Sequence, residues 1–186
     1  MSSPSRAEAE LAVSTLLGYL RDSAGVRISA EAEAHTPARV VEMLEEVLSG
    51  YGEGAGGARL YAAPAALPVA VTGVPFYSMC EHHLLPFYGH VDVRYLPESG
   101  VMGLSAITAL VGRLSRRLQL QERMTADIAA GIEAASGAGV VEVVVEAEHL
   151  CMAMRGTKIP AGRVRTAVIA GRRASDPDAV RLLDRA

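Results

Sequence analysis

The chain has no tryptophan, two phenylalanines and only two cysteines among its 186 residues, and aromatic side chains make up 4% of it. Its hydrophobic half, 50% of the residues, is therefore almost entirely aliphatic. An excess of charge of either sign is also missing. A formal net charge of -3 and a sequence pI near 6.0 give no overall drive toward nucleic acid or a membrane surface. Long apolar runs are absent too: the most apolar stretch, Leu60 to Tyr77, is broken by Pro64, Pro68 and Pro75 and does not read as a membrane span. The opening Met1-Ser2-Ser3-Pro4-Ser5-Arg6 leads into a polar, alanine-rich stretch without the apolar segment of a secretory signal. A reducing cytoplasm is expected, in which both thiols stay free.

What is present is an ordinary balance of 50% hydrophobic and 21% charged residues over a length able to bury a real core. One domain with an N-terminal extension is expected: 1–57 as a helical extension, 58–174 as a catalytic domain and 175–186 as a C-terminal tail.

The two cysteines and three of the five histidines fall in two short segments, Ser78-Met79-Cys80-Glu81-His82-His83 and His149-Leu150-Cys151. Residues three apart in a helical turn or tight loop can face one way, so Cys80 and His83 can grip one ion while His82 points elsewhere. Residues two apart in a strand share a face, which would project His149 and Cys151 together. Thiolate and imidazole are zinc ligands, and three of them leave a position for water. Cys80, His83 and Cys151 form such a set, with His82 and His149 left as proton-transfer candidates. Three plainer readings compete: a Cys80 to Cys151 disulfide, a closed four-ligand structural zinc with His82 or His149 as the fourth ligand, and inert buried side chains.

Apolar spacing predicts a helix to Leu20 and a second one with Thr36 as N-cap and Pro37 in its first position, burying Val40, Met43, Leu44, Val47 and Leu48. Gly52, Gly54, Gly56 and Gly57 read as a flexible connector. Strands are expected at Leu67–Ser78, with an irregularity near Gly73, and at Tyr88–Leu96. Pro97 to Gly100 reads as a turn. Ser105 is the expected N-cap of a helix to about Leu118, on which Arg113, Arg116 and Arg117 read as a solvated or partner-facing surface rather than a nucleic-acid site. A helix over Gln121–Ala135, a strand over Val140–Cys151 and a strand over Arg163–Ala170 complete the order. Strand, strand, helix, helix, strand, strand makes an α+β antiparallel four-stranded sheet with two helices on one face and open edges that invite oligomerisation.

These residues resemble the GTP cyclohydrolase I family. Thr36-Pro37-Ala38-Arg39, Cys80 to Phe87, Gly103-Leu104-Ser105, Gln121-Glu122-Arg123-Met124-Thr125, Glu148 to Met152 and Arg155-Gly156 carry the resemblance. It implies the tunnelling fold, a toroidal homodecamer and zinc (Zn2+) on Cys80, His83 and Cys151. It implies that Glu122, helped by Gln121, holds the guanine edge of the substrate, that Ser105, Arg155 and Arg39 contact its phosphates, and that His82 and His149 move protons. The implied reaction opens the purine imidazole ring of GTP, releases formate and recloses to 7,8-dihydroneopterin triphosphate.

Where the family places a lysine and an arginine just after the Gly-Leu-Ser turn, this chain has Ala106 and Ala109. Each lost charged contact would cost roughly 1.5–3 kcal/mol. The stretch Lys158 to Arg165 also departs from the family, and Lys158, Arg163 or Arg165 could stand in. Two alternatives therefore remain: a paralogue acting on a purine nucleotide or nucleoside with fewer phosphates, and a non-catalytic zinc protein that binds purine or pterin. A nitrile reductase of the same fold is disfavoured, because both cysteines are allotted to metal.

Overall fold

The computed structural model describes residues 3–52, 59–62, 67–98 and 100–186. Most of the glycine connector and Ser99 of the expected turn lie outside them. The chain divides into two compact units, Met1–Leu48 and Ser49–Ala186.

The first unit is a pair of packed helices, α1 (Arg6–Asp22) and α2 (Ala30–Val47). Ser5 starts α1 through a reciprocal capping box: its hydroxyl accepts the Glu8 N–H at 3.3 Å, and the Glu8 carboxylate accepts the Ser5 N–H at 2.7 Å. Helix α2 begins at Ala30 under a Ser29 cap, not at Thr36, so Pro37 lies inside it. Residues Ala30 to His35 are mostly strong helix formers, and a good cap carries them through the one hydrogen bond that Pro37 cannot donate. Pro37 and Val41 are the buried side chains of α2, whereas Met43, expected inside, is 46% exposed.

The second unit opens with a 3-10 turn at Ser49–Tyr51. It continues through β1 (Leu60–Tyr61), β2 (Val69–Cys80), β3 (Pro86–Leu96), β4 (Val101–Met102), α3 (Leu104–Ser115), β5 (Leu118–Gln119) and α4 (Gln121–Ser136). It ends with β6 (Val140–His149), α5 (Leu150–Ala153), β7 (Arg163–Ala170) and α6 (Pro177–Leu183). The sheet order is β5-β2-β3-β6-β7, antiparallel throughout except for the two-residue parallel pairing of β5 with β2. Strands β1 and β4 form a separate small ladder. With α3 and α4 packed on the sheet, this is the expected α+β order of two strands, two helices and two strands.

Strict alternation puts Val141, Val143, Val145 and Ala147 of β6 and Val91, Val93 and Tyr95 of β3 on the helix-facing side, all fully buried. They meet Ile107 and Val111 of α3 and Met124, Ile128 and Ile132 of α4. Each such aliphatic side chain contributes about 1.5–3 kcal/mol when removed from water. The expected irregularity in β2 is a register shift between Val71 and Val74, where Gly73 takes φ +70 and its N–H donates to the Asp92 carboxylate at 2.7 Å.

Helix α3 is capped by Gly103 rather than Ser105, which falls in its exposed first turn. The chain enters α3 straight from β4, and the Gly103 N–H is already committed to the Arg59 carbonyl at 3.2 Å, so the helix starts before the better capping residue. The C-terminal residues, expected as a tail, carry α6. Asp176 caps it, Pro177 occupies its first turn, and Ala179 and Leu183 bury themselves with Leu96 and Val140.

Candidate functional site

Strand β2 delivers Cys80 at its very end, buried. The chain then reverses in a tight turn: the Cys80 carbonyl accepts the N–H of Leu84 at 2.9 Å and of His83 at 3.4 Å, and the Cys80 N–H donates to the Leu85 carbonyl at 2.9 Å. Leu84 takes φ +51, a left-handed conformation that closes the turn and folds His83 back over Cys80. From the other side, β6 runs beside β3 until His149 pairs with Phe87. Strand geometry stops there. Cys151 lies in the helical turn α5, not in an extended strand as the alternation implied, and it is this turn that swings its sulfur toward Cys80. The ligating atoms of Cys80, His83 and Cys151 all come within 4.8 Å of one another.

Two free thiols and one imidazole are the donors a borderline-soft divalent ion such as zinc prefers, so the residues fit the ion. Burial, with the neighbouring Cys80 sulfur second, pushes the Cys151 thiol up, and a bound cation would reverse that by favouring the thiolate. Among the described residues no fourth histidine, cysteine or carboxylate joins the group. His82 stands exposed beside it, its ring centroid 6.2 Å from that of His83 and nearly perpendicular to it.

His149 is half-buried and doubly held. Its ring stacks on Phe87 with centroids 4.6 Å apart and planes 5° from parallel, and its Nε2 lies 2.7 Å from Oε1 of Gln121. The Gln121 amide cannot turn over. Its Nε2 faces the carbonyls of Val145 at 3.1 Å and Val164 at 3.0 Å and the Thr166 hydroxyl at 3.1 Å, so Oε1 is left to accept from His149. Nε2 of His149 therefore carries the hydrogen, and Nδ1 keeps the free lone pair. Burial lowers the His149 pKa, with the nearby Glu122 carboxylate partly offsetting it, which favours the neutral ring at neutral pH. Gln121, expected to help hold a purine edge, is buried, with its amide bonded inside the protein and to His149.

Glu122 follows on the exposed first turn of α4, its carboxylate free to meet a ligand. Arg123 comes next. Its guanidinium pairs with Glu81 of the turn between Cys80 and His83, donates from Nε to Gln119 Oε1 at 2.9 Å and reaches the Leu118 carbonyl at 3.0 Å. Phe87, Gln119 and Thr166 support the site without a role foreseen from sequence. A polar Gln119 in an otherwise apolar approach to α4 was the available cue.

The expected anion contacts are looser. Ser105 is exposed and makes no capping bond, and Ala106 and Ala109 occupy the same short stretch of α3. Arg155 is exposed just after α5, close enough for its charge to bear on Cys151. Beyond it, Lys158 and Ala161 both take positive φ in an exposed loop. Arg39 belongs to the first unit, on an exposed side of α2.

The sequence matches the family model for GTP cyclohydrolase I over residues 10–183. It is 50% identical over 133 residues to a GTP cyclohydrolase 1 of Hyperthermus butylicus, covering 72% of this chain and 68% of that protein. With the GTP cyclohydrolase 1 of Streptococcus gordonii it shares 47% over 139 residues, 73% of this chain and 74% of that one. With that of Lysinibacillus sphaericus it shares 40% over 164 residues, 87% of each. A solved structure of the archaeosine synthase QueF-Like in the apo form overlaps 59% of this chain and 97% of that chain at 20% identity and a TM-score of 0.44, too distant a likeness to build on. No helix among the described residues is long and apolar enough to cross a membrane. With the matched segment spanning both units and all of the Cys80, His83 and Cys151 cluster, the chain belongs to the GTP cyclohydrolase I family.

Proposed function

We propose that this chain is a zinc-dependent hydrolase that opens the imidazole ring of GTP, releases C8 as formate and yields 7,8-dihydroneopterin triphosphate. The observation that carries this reading is the convergence of Cys80, His83 and Cys151 from two distant segments, with His149 locked beside them. Cys80, His83 and Cys151 would hold zinc, which when bound supplies the Lewis acidity that makes water a usable nucleophile near neutral pH.

The protein's own groups do the rest. The Glu122 carboxylate accepts the N1–H and 2-amino N–H of guanine in two parallel bonds and so fixes the purine in the site. His149 works through Nδ1, taking and returning a proton at the imidazole nitrogens of the purine as its C–N bonds to C8 break. Gln121 keeps that nitrogen free, and Phe87 keeps the ring in plane. His82, exposed, serves the ribose oxygens during rearrangement and reclosure. Two waters are consumed in freeing formate and one returns when the new ring closes. Ser105, Arg155 and Arg39 are the phosphate contacts. We place the enzyme in a reducing cytoplasm, where its free thiols stay available, and in a homodecamer, which would cover the open sheet edges.

A second reading is favoured by Ala106 and Ala109: a substrate with fewer phosphates. Zinc-loaded protein offered GTP, GMP and guanosine, with formate and pteridine fluorescence followed, separates the two. Turnover of GTP alone supports the first, and equal or better turnover of GMP or guanosine supports the second. Ligand binding without formate from any of the three would defeat both.

A further inference from the structure

The turn that carries His83 has little packing of its own: Glu81, His82, His83 and Leu84 are all exposed. Cys80 is anchored by its strand, but the position of His83 depends on how the intervening Glu81 is held. Two bonds hold it, one from the segment leading into α4 and one from the first turn of α4. The Glu81 N–H donates to the Gln119 carbonyl at 3.2 Å, continuing the parallel pairing of Cys80 with Gln119, and the Glu81 carboxylate pairs with Arg123. Arg123 is itself oriented, because its Nε donates to Gln119 Oε1 while the Gln119 amide donates to the Leu114 carbonyl at 3.0 Å, deep under α3. A chain of contacts therefore runs from the buried end of α3 to the turn between two ligands.

Arg123 is also in an unfavourable place for a cation. It lies in the first turn of α4, where the helix dipole repels positive charge, so a compensating anion is needed, and Glu81 supplies it.

We infer that Arg123, oriented by Gln119, is a positioning residue that sets the affinity and geometry of the Cys80, His83 and Cys151 site by fixing the Glu81 turn. This rests on the reading of those three residues as metal ligands. Arginine is required because one planar fork must serve Gln119, Leu118 and Glu81 together, which a lysine ammonium on a flexible stem does not do.

The test measures zinc affinity by chelator competition and records the absorption of the cobalt(II)-loaded full-length protein. Arg123→Ala and Arg123→Lys should each weaken zinc by about 10–100-fold and lower the intense visible bands of tetrahedral cobalt, while the far-ultraviolet dichroism of metal-free protein stays unchanged. Glu81→Ala, a change at an exposed turn, should do the same and keeps the test intact if the arginine variants fail to fold. The double variant should bind no more than about twofold more weakly than Glu81→Ala alone, because both changes cut one link. Unchanged affinity in Glu81→Ala, or full multiplication of the two losses, overturns the proposal. Wild-type protein that binds neither zinc nor cobalt would instead sink the metal-site reading beneath it.

Discussion

The two ends of the site are built differently. At the proposed reaction end His149 is gripped by Gln121 and Phe87, and the turn between Cys80 and His83 by Gln119 and Arg123, while His82 and Glu122 stand exposed beside them. At the proposed anion end, Ser105, Ala106, Ala109, Arg155 and Lys158 are wholly or partly exposed on α3 and on an open loop. The contrast follows from the forces involved. Proton transfer and coordination fail when an atom moves by an ångström, whereas attraction between an arginine and a phosphate falls off slowly with distance. The first end therefore has to be rigid, and the second can lose or relocate its charges without rebuilding the fold.

The largest effect should come from the rigid end. His149→Ala is expected to lower kcat/KM by about 10²–10⁴-fold, read as formate release, with zinc content unchanged. A loss of less than about tenfold would break the comparison at its root. Gln121→Leu should come next. It frees the His149 ring to change tautomer and removes the Gln121 amide from the Val145 and Val164 carbonyls, at about 0.5–1.5 kcal/mol for each hydrogen bond lost. Both kcat and thermal stability should fall. Glu122→Ala removes an ionised acceptor from an exposed turn and should raise KM by about 10–100-fold with stability intact, checked by steady-state kinetics and thermal melts.

At the looser end the test is a gain. Ala106→Lys should tighten GTP by about tenfold and leave guanosine unaffected, since one added charged contact is worth roughly 1.5 kcal/mol or a little more. No change would mean that cations elsewhere already saturate the phosphates. The smallest effect belongs far from both ends, at α6. The Arg173 guanidinium, and then the helix N–H groups, hold the Asp176 carboxylate below its ordinary range. Its stabilising contribution is therefore present above the unfolded value near 4 and lost as pH falls through the lower folded value. Hydrogen exchange should show α6 loosening there while the central sheet stays protected.

Much of this was readable from residue order. The alternation of Val141, Val143, Val145 and Ala147 placed β6 on the core and carried His149 to its end, and β7 falls on Arg163–Ala170 as expected. Period fails where the chain changes state in mid-motif. Cys151 reaches Cys80 and His83 from a helical turn, because four residues of α5 interrupt the extended run. Local signals also mislead when a neighbour preempts them. Thr36-Pro37 looks like a helix start, but Ser29 had already started α2, and Ser105 looks like a cap, but Gly103 stands at that place. The contacts of Gln121 were hidden for a third reason. A glutamine beside an exposed glutamate gives no sign in one dimension that three acceptors from β6 and β7 will close around its amide.

Gln121, Glu122 and Arg123 are consecutive on α4, and each points a different way: to an imidazole, to open solvent, and to the turn between Cys80 and His83. Successive helical residues are turned from one another by about 100°, so a single inserted or deleted residue ahead of Gln121 would misdirect all three at once. Sequence drift in this stretch can exchange side chains, but it cannot change the spacing.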